Sequence, residues 1–185
     1  MREPVIRRTA REKAARVTLL LLDVDGVLSD GRIIYDADGR EIKAFYVRDG
    51  HGIKMLQQAG IEVGIITGRR SPVVEIRARE LGITLVRQGA PDKVATWREI
   101  IEEKRLAPEE TAYVGDDLVD IPLLRRVGFA AAVFDAETEV VEAADYVAGR
   151  RGGRGAVREI GDFLLRARGA WERATAPYLA SGEGR

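Results

Sequence analysis

The chain has 185 residues, 45% hydrophobic and 32% charged, with a formal net charge of +0. That is enough for one domain with a full core, and there is no global field to draw it to nucleic acid or a membrane surface. It has no cysteine and a single histidine, His51, which excludes disulfides, thiolate catalysis, cysteine-ligated zinc and histidine-pair acid–base schemes.

Residues 1–16 are polar and basic and read as a solvated N-terminal arm. Val17–Leu22, interrupted by Thr18, is the longest apolar run. It is far short of the roughly 20 residues of a membrane helix and lacks a small-residue cleavage site, so the cytoplasm is the expected compartment. The same run opens "VTLLLLDV", a continuous apolar stretch of the kind expected for a strand covered on both faces. It drives into Asp23, and Asp25 follows. Next comes "GRIIYDADGREIKAFYV" (31–47), which reads as a hairpin turning at Asp38-Gly39. Ile42, Ala44 and Tyr46 alternate with Phe45 and Val47, so both its faces carry apolar groups. A two-stranded hairpin of that kind is not stable alone in water, and association with copies of itself is the natural remedy.

Strand and helix patterns then alternate. "IEVGIIT" (61–67), "ITLVRQ" (83–88), "TAYVG" (111–115), "FAAAVF" (129–134) and "DYVA" (145–148) read as strands. "SPVVEIRAREL" reads as a helix with Ser71 as N-cap, Pro72 at its first position and Gly82 just beyond its end. Residues 92–105, 118–127 and 154–168 also read as helices. The alternation predicts a Rossmann-like three-layer α/β/α domain over residues 17–168, with a mostly parallel sheet, a small β-hairpin cap insertion at 31–47 and a C-terminal tail at 169–185.

The polar residues that matter sit at strand ends. Asp23 and Asp25 end the first strand, Thr67 in "ITGRR" ends the second, and Asp116, Asp117 and Asp120 in "VGDDLVD" follow the fourth. Lys93 opens a helix. In an open parallel sheet these positions converge outside the carboxyl ends of the strands. Clustered carboxylates cannot all ionise unless a cation sits among them, and an oxygen-only donor set favours Mg²⁺ over zinc. A cation, an ammonium and a hydroxyl together make a phosphate site. The remaining strong nucleophile is then a carboxylate: Asp23 would attack phosphorus to form an aspartyl-phosphate. Asp25 would protonate the leaving alkoxide and later deprotonate water. Asp117 and Asp120 are expected to orient the metal shell or cap the following helix.

"DVDGVLSD", "TGR", Lys93 and "GDDLVD" resemble, in order and approximate spacing, the phosphatases of the haloacid dehalogenase superfamily. "FYVRDGHGIKML", "IITGRRSPVVEIRARELGI", "VRQGAPDK", "AYVGDDLVDIPLL" and "GGRGAVREI" further resemble the 3-deoxy-D-manno-octulosonate 8-phosphate phosphatases, a likeness covering about residues 17–168. That resemblance implies hydrolysis of this sugar phosphate on the way to lipopolysaccharide, and a homotetramer. It implies side-chain Mg²⁺ ligation by Asp23 and Asp116, with the Asp25 backbone carbonyl also on the metal. Thr67 and Lys93 would hold the phosphoryl group. Substrate contacts would come from Asp25, Tyr46, Val47, Arg48, Asp49, Gly50, Lys54, Gly68, Arg69, Arg77 and Lys93. The substrate carries a carboxylate as well as a phosphate, and arginine offers a bidentate fork to either. His51, between Gly50 and Gly52, reads as a bystander in a tight turn. Two alternatives stand beside this one. One is a phosphatase for a nine-carbon keto sugar acid phosphate, whose family carries glutamate at the Arg69 position. The other is a receiver-like phospho-switch, in which the acyl phosphate persists.

Overall fold

The computed structural model describes residues 2–179. Its centre is a seven-stranded sheet, built from β1 (Val5–Ile6), β2 (Leu19–Leu22), β5 (Glu62–Thr67), β6 (Leu85–Gln88), β7 (Thr111–Gly115), β8 (Phe129–Ala132) and β9 (Tyr146–Val147) in the order β1-β9-β8-β7-β2-β5-β6. All its pairings are parallel except β1 with β9. A separate two-stranded hairpin, β3 (Ile34–Tyr35) and β4 (Glu41–Ile42), is inserted after β2. The helices are α1 (Ala10–Arg16), α2 (Val47–Gln58), α3 (Pro72–Leu81), α4 (Lys93–Lys104), α5 (Ile121–Leu124), α6 (Thr138–Ala143), α7 (Ala156–Ala167) and α8 (Trp171–Leu179).

β2 shows why the sheet has two cores. Its four leucines are all buried and alternate in direction, as a strand requires. Leu20 and Leu22 join one cluster, with Ile53, Leu56, Val74, Ile160 and Leu164 from α2, α3 and α7. Leu19 and Leu21 join the other, with Val94, Trp97, Leu123 and Val140 from α4, α5 and α6. β2 pairs with β7 on one side and β5 on the other, so its end is flanked by the ends of both. This is the three-layer arrangement expected from the alternation.

Several expectations are corrected. Among the described residues, 2–16 are docked on the domain and are not a free solvated arm. Val5–Ile6 adds an antiparallel edge strand, and Ala10 and Ala14 of α1 are fully buried. Two of the basic residues of this segment are held too: Arg7 donates to the carbonyls of Ala144 and Glu142, and Lys13 pairs with Asp145 at 2.6 Å. The 169–185 tail begins with α8, which buries Ala174 and Thr175; residues 180–185 lie outside the described residues. Positions 47–58, read for their substrate-contacting segment, form a helix. Ser71 precedes α3, but its hydroxyl caps nothing; Gly82 ends that helix in the left-handed region, as expected.

Candidate active site

β2 delivers Asp23 to the carboxyl edge of the sheet, and the Asp23 amide donates to the Val114 carbonyl of β7. The next strand ends in Gly115, so Asp116 stands beside it. Between the two carboxylates the chain makes its turn at Gly26, with φ +94°. A Cβ there would lie 1.9 Å from Asp116 Oδ2, so only glycine lets the turn pass this close. Asp92 caps α4 by accepting the amides of Val94 and Ala95, which puts Lys93 at the helix's first residue and aims it inward. Lys93 Nζ lies 2.6 Å from Asp120 Oδ1 and 3.1 Å from Asp23 Oδ1.

Asp120 is fully buried, and both its oxygens are engaged. Oδ1 accepts from Lys93 and from the Tyr113 hydroxyl at 2.7 Å, and Oδ2 accepts the amides of Asp116 and Asp117. It orients its neighbours and has little capacity left for a ligand. By contrast, Asp116 Oδ1 is buried without a hydrogen-bond partner, and Asp23 Oδ1 has only its ion pair with Lys93, at 3.1 Å. A buried oxygen with no partner is costly. One carboxylate oxygen from each of Asp23, Asp116 and Asp120 lies within 4.8 Å of the other two. Three clustered carboxylates with one orphaned oxygen, in an oxygen-only set, fit a hard divalent cation such as Mg²⁺.

The electrostatics agree. Burial pushes the Asp116 carboxyl up to about 8, with Asp23 and Asp120 adding to the shift. Burial pushes Asp23 up to about 6, against the lowering influence of Lys93. For Lys93, burial alone would lower the ammonium, but Asp23 and Asp120 outweigh it and hold it above its usual range. A carboxyl whose folded pKa is raised loses stability for the fold as pH climbs from about 4, its unfolded value, through the folded one. Metal-free protein should therefore melt at lower temperature at pH 8 than at pH 5, and Mg²⁺ should restore most at pH 8. Asp116→Asn should flatten the metal-free pH dependence and remove the Mg²⁺ shift, read by thermal unfolding with EDTA or Mg²⁺. A Mg²⁺ response undiminished in Asp116→Asn would contradict the assignment.

A second polar network lies above Asp25, and the sequence reading missed half of it. Lys43, from the hairpin, places Nζ 2.5 Å from Asp25 Oδ1 and 3.2 Å from Glu41 Oε1. Arg69 Nη2 donates to Glu41 Oε1 at 2.8 Å, and its Nη1 lies 3.6 Å from Asp25 Oδ2. Burial works against the Glu41 carboxylate, but its polar and cationic neighbours, Lys43 and Arg69 among them, hold it below its usual range. Thr67 is buried at the end of β5, and Gly68 joins it to Arg69, where a Cβ would meet only the Ala90 carbonyl oxygen, at 3.9 Å.

The remaining predicted contacts divide. Arg77 lies over the first turn of α2: its guanidinium fills the space beside Gly50, stands 5.8 Å from the Phe45 ring and pairs with Glu80. Tyr46 precedes α2 and Val47 is 79% exposed. Arg48 lines a cavity of about 650 Å³ with Arg150 and Arg158. Two of the expected contacts lie apart from the aspartate cluster within a single chain. The Asp49 carboxylate is buried and accepts the amides of Gly155 and Arg158, tying α2 to the start of α7. Lys54 Nζ lies against Gly82, at the end of the sheet opposite the aspartates. His51 packs edge-on against Tyr178, 5.0 Å between ring centroids. Tyr113 is a functional neighbour that sequence reading passed over as strand filler.

Residues 34–128 match the family profile of haloacid dehalogenase-like hydrolases, the class of protein that this sheet and its strand-end carboxylates define. The chain is 50% identical over 162 residues to the 3-deoxy-D-manno-octulosonate 8-phosphate phosphatase KdsC of Escherichia coli K12, covering 88% of this chain and 86% of that one. The solved 3-deoxy-D-manno-octulosonate 8-phosphate phosphatase of Moraxella catarrhalis, in complex with magnesium ion, phosphate ion and a KDO molecule, superposes with a TM-score of 0.90 at 40% identity. It covers 91% of this chain and 97% of that one. The cobalt-bound phosphatase of Haemophilus influenzae gives a TM-score of 0.83 at 43% identity, covering 86% and 93%. The chain belongs to the 3-deoxy-D-manno-octulosonate 8-phosphate phosphatase family of the haloacid dehalogenase-like hydrolases.

Proposed function

We propose that the chain is a Mg²⁺-dependent phosphatase that hydrolyses 3-deoxy-D-manno-octulosonate 8-phosphate to the free sugar acid and phosphate, in lipopolysaccharide synthesis. The observation that carries this is the cluster of Asp23, Asp116 and Asp120 oxygens within 4.8 Å of one another, with Asp116 Oδ1 unpartnered and the Lys93 ammonium beside Asp23, at a strand end that also bears Asp25. Asp23 and Asp116 would hold Mg²⁺ with the Asp25 backbone carbonyl. When bound, the cation supplies positive charge that lets the carboxylates coexist and offsets charge on the phosphoryl oxygens.

The chain's own residues then perform two displacements. Thr67 and Lys93 hold the phosphoryl group. An Asp23 oxygen attacks phosphorus, the bond to the sugar oxygen breaks, and the departing alkoxide takes the Asp25 proton. Asp25, now a carboxylate, takes a proton from water as the water oxygen attacks phosphorus. The aspartyl–phosphorus bond breaks, phosphate leaves, and Asp23 and protonated Asp25 are restored. That second step separates a hydrolase from a receiver-like switch. The buried Lys43–Asp25 contact supports the hydrolase, because it holds Asp25 in the crevice.

Arg69 is proposed as the selector of substrate. It stands two residues past Thr67 with Nη1 buried and making no hydrogen bond, 3.6 Å from Asp25 Oδ2, suited to the carboxylate of the eight-carbon acid. Charge-assisted hydrogen bonds are worth about 1.5–3 kcal/mol each. Arg69→Glu should therefore lower kcat/KM for the octulosonate roughly tenfold to a hundredfold and erase much of its advantage over nine-carbon phosphates. An unmodified enzyme favouring the nine-carbon substrate, or a ratio that Arg69→Glu leaves unchanged, would refute the assignment.

The protein is further proposed to work in the cytoplasm as a homotetramer built through the hairpin; no helix among the described residues is long and apolar enough to cross a membrane. Ile33, Ile34, Tyr35 and Ile42 are all at least 40% exposed. The pattern differs from the two apolar faces expected, because Phe45 packs against the main core. Ile34 and Ile42 are cross-strand partners, so Ile34→Glu with Ile42→Glu should dissociate the assembly in light scattering. A monomer for the unmodified protein would contradict the tetramer.

A further inference from the structure

Lys43 is the most unusual buried group outside the aspartate cluster. It comes from a hairpin whose Ile34, Tyr35 and Ile42 face solvent, yet its own side chain is 1% exposed. A lysine normally keeps its ammonium in water and buries only its stem. Burying the charge is costly unless it is paired, and here two carboxylates pair it, Asp25 and Glu41. The pairing is lopsided at Asp25. Oδ1 is contacted by Lys43 Nζ at 2.5 Å and by Ser29 Oγ at 3.4 Å. Oδ2 has only Arg69 Nη1, at 3.6 Å, beyond hydrogen-bond reach.

We infer that Lys43 is a positioning residue for the acid–base step: by holding Oδ1 it leaves Oδ2 as the oxygen that carries the proton to and from substrate, and it makes that geometry depend on the seating of the hairpin. This rests on the phosphatase reading above. A carboxyl free to turn about its last torsion offers either oxygen, and misplacement on the scale of 1 Å is enough to cost roughly a hundredfold in rate. With Lys43 in place one oxygen is occupied, which leaves the other to face the substrate. Glu41 anchors the ammonium from the hairpin side and, through Arg69, joins it to the end of β5. When the hairpin lifts, the Lys43 contact is lost and Asp25 is released.

The test compares leaving groups. A sugar alkoxide needs a proton to depart; p-nitrophenolate does not. In Lys43→Met, which keeps length but not charge, kcat for 3-deoxy-D-manno-octulosonate 8-phosphate should fall roughly 10–100-fold with KM little changed. The first-turnover release of nitrophenolate from p-nitrophenyl phosphate should stay at the wild-type rate and appear as a burst, because the following water attack has slowed. Lys43→Arg should recover most of the loss. A parallel fall in both first turnovers together with a lowered melting temperature would make Lys43 a structural pin and overturn the inference. So would a change confined to KM. If Lys43→Met does not fold, Lys43→Gln carries the same comparison. Wild-type protein that hydrolyses p-nitrophenyl phosphate but not the octulosonate phosphate would refute the substrate reading, and the Lys43 test would then run on whichever alkyl phosphate the enzyme turns over.

Discussion

Asp23→Asn should eliminate turnover, by roughly 10⁴–10⁶-fold as for other enzymes stripped of their nucleophile, while leaving the fold intact. Asparagine keeps the shape and the amide contact to β7 but cannot attack phosphorus as an anion. The loss should not be a stability effect. In the metal-free protein burial holds the Asp23 carboxyl at about 6, so its charge works against the fold, and replacing it with a neutral isostere should hold or raise the melting temperature. Acid-quenched wild-type enzyme should trap phosphate on the chain, and Asp23→Asn should trap none. A wild-type rate in the variant would exclude the covalent mechanism.

Gly26→Ala should be nearly as damaging, although the residue has no functional group. Its φ of +94° is a backbone conformation that costs a non-glycine residue about 1–3 kcal/mol. The larger problem is local. The new methyl would fall 1.9 Å from Asp116 Oδ2 and 2.9 Å from Oδ1, so the carboxylate must turn away from Asp23. Mg²⁺ affinity and kcat should fall together, roughly a hundredfold or more, and the folded state should survive with a modestly lower melting temperature. Titrating activity with Mg²⁺ separates the effects. A variant with wild-type Mg²⁺ dependence would show that Asp116 is not a ligand.

How much was legible follows from which forces are local. The continuous apolar run into Asp23, the alternation of strand and helix patterns, and the Asp92–Lys93 helix start are near-neighbour features, and most gave their element within a residue or two, although the helix expected over 118–127 is only Ile121–Leu124. The convergence of Asp23, Thr67, Lys93 and Asp116 on one sheet edge follows from parallel topology alone. What stayed hidden depends on contacts distant in sequence. Val5–Ile6 is a strand only because β9 offers an open edge. Residues 47–58 carry Val47, Gly50, Gly52 and Ile53 in their first two turns and lack a side-chain cap; α7 and the Asp49 ties hold them helical. Lys43 lies in a charged, alternating hairpin, where a lysine reads as solvated. Its burial is set by Asp25, 18 positions away. Lys54 fell the other way: the helix periodicity turns it towards Gly82, away from the crevice.

Phosphate release from 3-deoxy-D-manno-octulosonate 8-phosphate, measured against a panel of sugar phosphates with purified protein and Mg²⁺, tests the central claim most directly. The account predicts that this substrate gives the highest kcat/KM of the panel, that EDTA abolishes release and that Mg²⁺ restores it. Full turnover in rigorously metal-free buffer, or a higher kcat/KM for any nine-carbon acid phosphate, would contradict it.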